Sequence, residues 1–176
     1  ASDTKREASS LEVRLDAPAT NAQETEALGI QVGDFVYIHP RIERHNDYIR
    51  SRFLDDKACV ACMVTAIKAL ADARLEPAQR TTFHFSNYEE VGHGAAAGFP
   101  EDIVELLTVD MAAIGGGQTS DEFSVTICTK DSGGPYDLGF KKRLVALADH
   151  ADIDYRLDIY PYYGSDGEAF WRAGGD

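Results

Sequence analysis

The sequence predicts an α/β fold, a sandwich around a largely parallel sheet, with part of a small β-barrel or sheet ahead of it. Two observations carry this reading. From about residue 51 onward, segments of strand character alternate with segments of helical period. Before that point, short strands joined by Gly and Pro turns suffice, and no helix is required before residue 54. A third observation concerns chemistry: acidic residues recur where the predicted strands end.

The elements follow in order. Residues 1–10, "ASDTKREASS", are small and polar and are expected to be loose. "LEVRL" (11–15) alternates as a strand does, residues 16–34 are turn-rich, and "FVYIH" (35–39) reads as a second strand. The change of character places a boundary near residue 48 and divides the chain into 1–48 and 49–176. Val60, Met63, Val64, Ile67 and Leu70 then fall at helical spacing, predicting a helix from about Lys57 to Arg74, closed before Pro77. Strands are expected over 80–87, 103–111, 123–129 and 155–161. Between the last two, 138–151 reads as an amphipathic helix through Phe140, Leu144, Leu147 and Ala148.

Composition narrows the function. The chain of 176 residues carries a formal net charge of −13, which argues against nucleic acid, whose binders cluster Lys and Arg. No apolar run approaches the ~20 residues of a membrane-spanning helix, and no signal peptide is visible, so neither a membrane nor export is expected. The odd cysteine count, Cys59, Cys62 and Cys128, fits a reducing compartment, and a cytoplasmic location is expected. "CVAC" lacks the second pair of a zinc knuckle, so Cys59 and Cys62 are expected as small buried residues of the first long helix.

In open parallel sheets, ligands bind outside the carboxyl ends of the strands. Asp55 and Asp56 precede the first long helix, Glu89 and Glu90 follow "TTFHFSNY", and Asp110 closes "ELLTVD". Converging there, these carboxylates would repel one another, and one or two divalent cations would resolve the conflict. If Glu89 and Glu90 end an extended strand, their side chains point to opposite faces and can serve two tasks, one toward a metal and one toward protons.

The motifs "SRFLDDK", "EEVGHGAA" and "VDM", continued by "DSGGPYD" and "YYGSDG", resemble the glutamyl and deblocking aminopeptidases. These form family 42 of the dinuclear, clan MH metallopeptidases, some of which carry an older cellulase or endoglucanase label. The resemblance implies a three-layer, zinc-peptidase-like (phosphorylase/hydrolase-like) sandwich. On that reading 1–48 is the C-terminal part of an inserted β-barrel domain, and 49–176 is part of the catalytic domain. Position by position, Asp55 matches the carboxylate that bridges two metal ions, Glu90 a ligand of one and Asp110 a ligand of the other. Asp56 matches a neighbour that holds the bridging aspartate through a cis peptide, and Glu89 the general base. Ser165 and Asp166, in "GSDG", match a segment lining the substrate pocket.

The resemblance also implies two zinc or cobalt ions, a peptide or small dipeptide substrate, and a homo-oligomer. The family has two further histidine ligands, and none of His39, His45, His84, His93 and His150 matches them. These five are expected in packing or surface roles, with His93 nearest to a place at the site. The chain is therefore expected to be a fragment that is inactive or weak, drawn from an intact enzyme. Alternatives are a hydrolase of a small acylated dipeptide osmolyte, a non-catalytic paralogue or assembly module, and a carbohydrate hydrolase using the paired acids beside Trp171 and Tyr160, Tyr162 and Tyr163.

Overall fold

A computed structural model describes residue 5 and residues 7–175. Among the described residues there are four α-helices and four short strands, in two compact units, Ala1–His39 and Pro40–Asp176. In the first unit a 3₁₀ turn (Ala8–Ser10) is followed by helix α1 (Ala22–Ala27). The Asn21 side chain caps α1 by accepting the Glu24 N–H, and the Glu24 carboxylate accepts the Thr20 N–H at 2.7 Å. This helix corrects the expectation of none before residue 54. Asn21 and Glu24 are the first and last residues of an N-x-x-E capping pattern, so the signal was present in the sequence. The segments 11–15 and 35–39 form no strand, and Phe35, Val36, Tyr37 and Ile38 stay exposed. An alternating pattern shows that a segment suits a sheet but supplies no partner edge to pair with.

The second unit opens with an antiparallel hairpin, β1 (Glu43–His45) and β2 (Tyr48–Arg50), turning through Asn46 and Asp47, both at positive φ. Helix α2 (Leu54–Ala73) follows and ends at Arg74, whose left-handed backbone returns its N–H to the Leu70 and Ala71 carbonyls. Its first turn is irregular: Asp55 and Asp56 depart from helical geometry and are joined by a cis peptide bond. No residue of α2 is buried. Its apolar stripe exists, but Val60, Val64 and Ile67 lie exposed. Cys62 is exposed and Cys59 half-buried, which corrects the expectation that both are buried.

Strands β3 (Val125–Lys130) and β4 (Tyr155–Ile159) pair in parallel, from Val125 opposite Tyr155 to Cys128 opposite Asp158. Helix α3 (Leu138–His150) connects them, capped by Asp137, which accepts the Phe140 N–H. Parallel neighbours require such a crossover, and the strand–helix–strand order in the sequence is what made this unit readable. The segments 80–87 and 103–111 form no ladder with one another or with β3, so the parallel sheet among the described residues has two strands.

Ile127, Ala148, Tyr160 and Ala169 are buried with the polar Ser120, Asp131, Asp158 and Glu168. Burial pushes the Asp158 carboxyl up, but hydrogen bonds from the Ser120 hydroxyl and from the N–H groups of Ser120, Ile159 and Thr119 outweigh it. Its pKa falls to about 2. Those bonds measure 2.7 to 2.9 Å and tie residues 119–120 to the end of β4.

Candidate functional site

Three pieces of chain bring carboxylates to one place in the second unit. The irregular first turn of α2 presents Asp55 and Asp56. A 3₁₀ turn, Glu89–Val91, presents Glu89 and Glu90, entered through Tyr88 at a φ of 66° and left through Gly92 at 82°. Residues 103–111 carry Asp110 next to their end, and its Oδ1 accepts the Met111 N–H at 2.7 Å. Asp55, Asp56 and Asp110 each offer a ligand atom, and all three atoms lie within 4.8 Å of one another. Asp55, Glu89, Glu90 and Asp110 line one cleft of about 380 Å³, which Ser165 and Asp166 also border. These six residues therefore border a single cavity.

The geometry of the glutamate pair differs from expectation. They do not close an extended strand with side chains on opposite faces. A 3₁₀ turn rotates successive side chains by about 120° rather than 180°, so both reach the same cleft. Tyr88 in the left-handed region starts that turn, and nothing in the apolar pattern of 80–87 announces it.

The electrostatics are those of crowded anions. Burial, then the charges of Asp110, Asp166, Glu90 and Asp55, raise Glu89 to about 7. Burial, with Asp56, Asp55 and Glu90, raises Asp110 to about 6 although the Met111 N–H opposes the shift. Asp56 is also raised, mainly by burial. Its Oδ1 is buried without a hydrogen-bond partner. An oxygen so placed costs free energy unless something positive meets it. Hard carboxylate oxygens at this separation, one of them orphaned, fit a divalent cation.

The cleft is also bordered by Ser132, Glu168 and Arg172, which the sequence did not single out. Glu168, 7% exposed, accepts a hydrogen bond from Ser132 Oγ and pairs with Arg172. Gly133 and Gly164 make room for it, since a Cβ at either would meet the Glu168 side chain at 2.5 Å and 1.7 Å. Tyr136 Oη donates to Asp131 Oδ2 at 2.5 Å and lies 2.7 Å from Ser165 Oγ, fixing the residue that caps helix α4 (Asp166–Arg172). The glycines of "DSGGPYD" and "YYGSDG" were the visible signal for this packing, but the buried acid they accommodate was not.

No histidine lines the cleft among the described residues. His84 packs on Phe99 with ring centroids 4.6 Å apart, His93 stacks on Tyr88 at 5.2 Å, His45 lies in the hairpin, and His150 ends α3.

Known proteins resemble this chain to different depths. A solved structure described as "3-D structure of PhTET1-12s, dodecamer in the asymmetric unit" matches with a TM-score of 0.63. That match has 24% identity and covers 76% of this chain and 42% of that one, which bears on the fold alone. "Putative aminopeptidase YhfE" of Bacillus subtilis (strain 168) is 48% identical over 177 residues, all of this chain and 51% of that protein. The chain thus spans about half the length of the curated relative it matches. The sequence model of the family described as M42 glutamyl aminopeptidase matches residues 1–176. With that match spanning the chain that builds the carboxylate cleft, the protein belongs to the M42 glutamyl aminopeptidase family.

Proposed function

We propose that the intact protein is a dinuclear metal-dependent aminopeptidase whose centre is built around this cleft. The observation that carries the reading is the meeting of Asp55, Asp56 and Asp110 within 4.8 Å beside the paired glutamates. Asp55, Glu90 and Asp110 would hold a pair of zinc or cobalt ions, and Asp56 would support Asp55. Such a pair of ions acidifies water, polarises the scissile carbonyl and attracts the substrate's amino end.

The chain's own residues do the rest. Glu89 accepts the proton of the attacking water and returns it to the departing amine, a role that requires it inside the cleft and unattached to the metals. Ser165 forms part of one wall of the substrate pocket, and Asp166 borders the same cleft. Family membership supports a peptide substrate, and the dodecameric relative supports a homo-oligomer. The described residues contain no helix long and apolar enough to cross a membrane, which is compatible with the proposed cytoplasmic location.

We further propose that residues 1–48 complete an inserted barrel and 49–176 a three-layer catalytic domain in the intact protein. The isolated chain, with no histidine in its cleft, is inactive or weak. The test is hydrolysis of glutamyl and leucyl anilides, against their N-acetylated forms, by intact protein loaded with zinc or cobalt. Turnover of only the free-amine substrates, abolished by a chelator, is expected. Equal turnover of the acetylated forms would overturn the aminopeptidase reading.

A further inference from the structure

We propose that Asp166 is a positioning residue, a clamp that holds the loop carrying Glu89 and Glu90, rather than a group that contacts substrate. The kinetic part of this proposal rests on the aminopeptidase reading, whereas the clamp itself does not. Asp166 Oδ1 accepts the Ala95 N–H at 2.9 Å, and Oδ2 accepts the Ser86 hydroxyl. One carboxylate from the first residue of α4 therefore ties both ends of the span 86–95, across 71 and 80 residues of sequence.

The seat of the clamp is built to fit. Ala95 is 1% exposed, so its N–H has no access to water and depends on this acceptor. Gly94, next to it, lies where a Cβ would stand 2.7 Å from Asp166 Oδ1 and 2.9 Å from both the Glu89 nitrogen and the Asn87 carbonyl oxygen. The far limb of the loop thus closes directly on the Glu89 backbone, with no side chain between. Within the span, the remaining ties are local: Gly92 N–H to the Glu89 carbonyl, and Val91 and His93 N–H to the Tyr88 carbonyl. Those bonds hold the turn's shape, and Asp166 fixes where the turn sits relative to α4.

A displacement of the turn moves Glu89 and Glu90 together, and a misplacement of about 1 Å is enough to cost about 100-fold in rate. An asparagine keeps the clamp, because its Oδ1 can accept from Ala95 and its amide can donate to the Ser86 oxygen. It cannot replace a carboxylate that binds a substrate amine, a metal or a proton. Asp166→Asn and Asp166→Ala therefore separate positioning from chemistry.

The experiment measures hydrogen–deuterium exchange of the peptide spanning residues 86–96 in the intact protein, together with kcat and KM. Asp166→Asn should match the unaltered protein in exchange and stay within about threefold in kcat. Asp166→Ala should exchange about tenfold faster or more and lose about 10- to 100-fold in kcat at nearly constant KM. Gly94→Ala, which crowds the same seat without removing a charge, should move exchange and kcat in the same direction and serves if Asp166→Ala fails to fold. Unchanged exchange in both Asp166→Ala and Gly94→Ala would overturn the clamp. An Asp166→Asn variant with intact exchange but kcat as low as Asp166→Ala would assign the carboxylate a chemical role instead. If the unaltered protein shows no turnover, the aminopeptidase reading fails, and the exchange arm still decides on the clamp.

Discussion

Glu89 is set apart from its neighbours by surroundings rather than by residue type. It shares the cleft with Glu90, Asp55 and Asp110, but in the proposed mechanism it handles the proton while they hold the metals. Glu89→Gln keeps its size and removes the base. The expected outcome is a kcat lower by about 100- to 10,000-fold with metal content unchanged, measured on intact protein by steady-state kinetics and elemental analysis. Loss of metal in that variant would make Glu89 a ligand instead. That acidic residues recur at the ends of successive segments was legible in the sequence. Their relative placement was not. The turn that aims Glu89 and Glu90 into one cavity depends on Tyr88 in the left-handed region and on a tie to Asp166 far along the chain.

Among the elements, the strand–helix–strand unit of β3, α3 and β4 came through most clearly, since a two-residue period switching to a helical one and back is a strong local signal. The expected strands at 80–87 and 103–111 did not pair, because local pattern carries no information about the partner edge. Helix α1 was announced by Asn21 and Glu24 at capping spacing and passed unread in a turn-rich stretch. At this scale the end of β4 is held by Asp158, with hydrogen bonds from Thr119 and Ser120. Asp158→Ala should destabilise the protein by about 2 to 3 kcal/mol, read from denaturant midpoints.

The pH dependence of that contribution has a definite sign. The native carboxylate titrates at about 2, and an unfolded aspartate at about 3.9, so the unfolded chain binds more protons between those values. Asp158 therefore stabilises fully above pH about 4 and loses its contribution as pH falls toward 2, a slope that Asp158→Asn should flatten.

Over the whole molecule, Val60, Val64 and Ile67 of the α2 stripe and residues such as Val104, Leu107 and Ile114 are exposed in the 176-residue chain. Exposed apolar side chains that recur along one helix stripe suit a surface that another segment covers. The matched relative is about twice as long, and in the proposed reading the intact protein supplies the cover. The isolated chain should enhance the fluorescence of a hydrophobic dye several times more than intact protein at equal molarity. Equal enhancement would place the covering partner outside the polypeptide.

The most direct measurement is zinc or cobalt content per chain in dialysed intact protein and in its Asp110→Ala variant. The account predicts about two ions in the first and a loss of at least one in the second. Identical metal content in the two would contradict it, since Asp110 would then stand in the cleft without holding a metal.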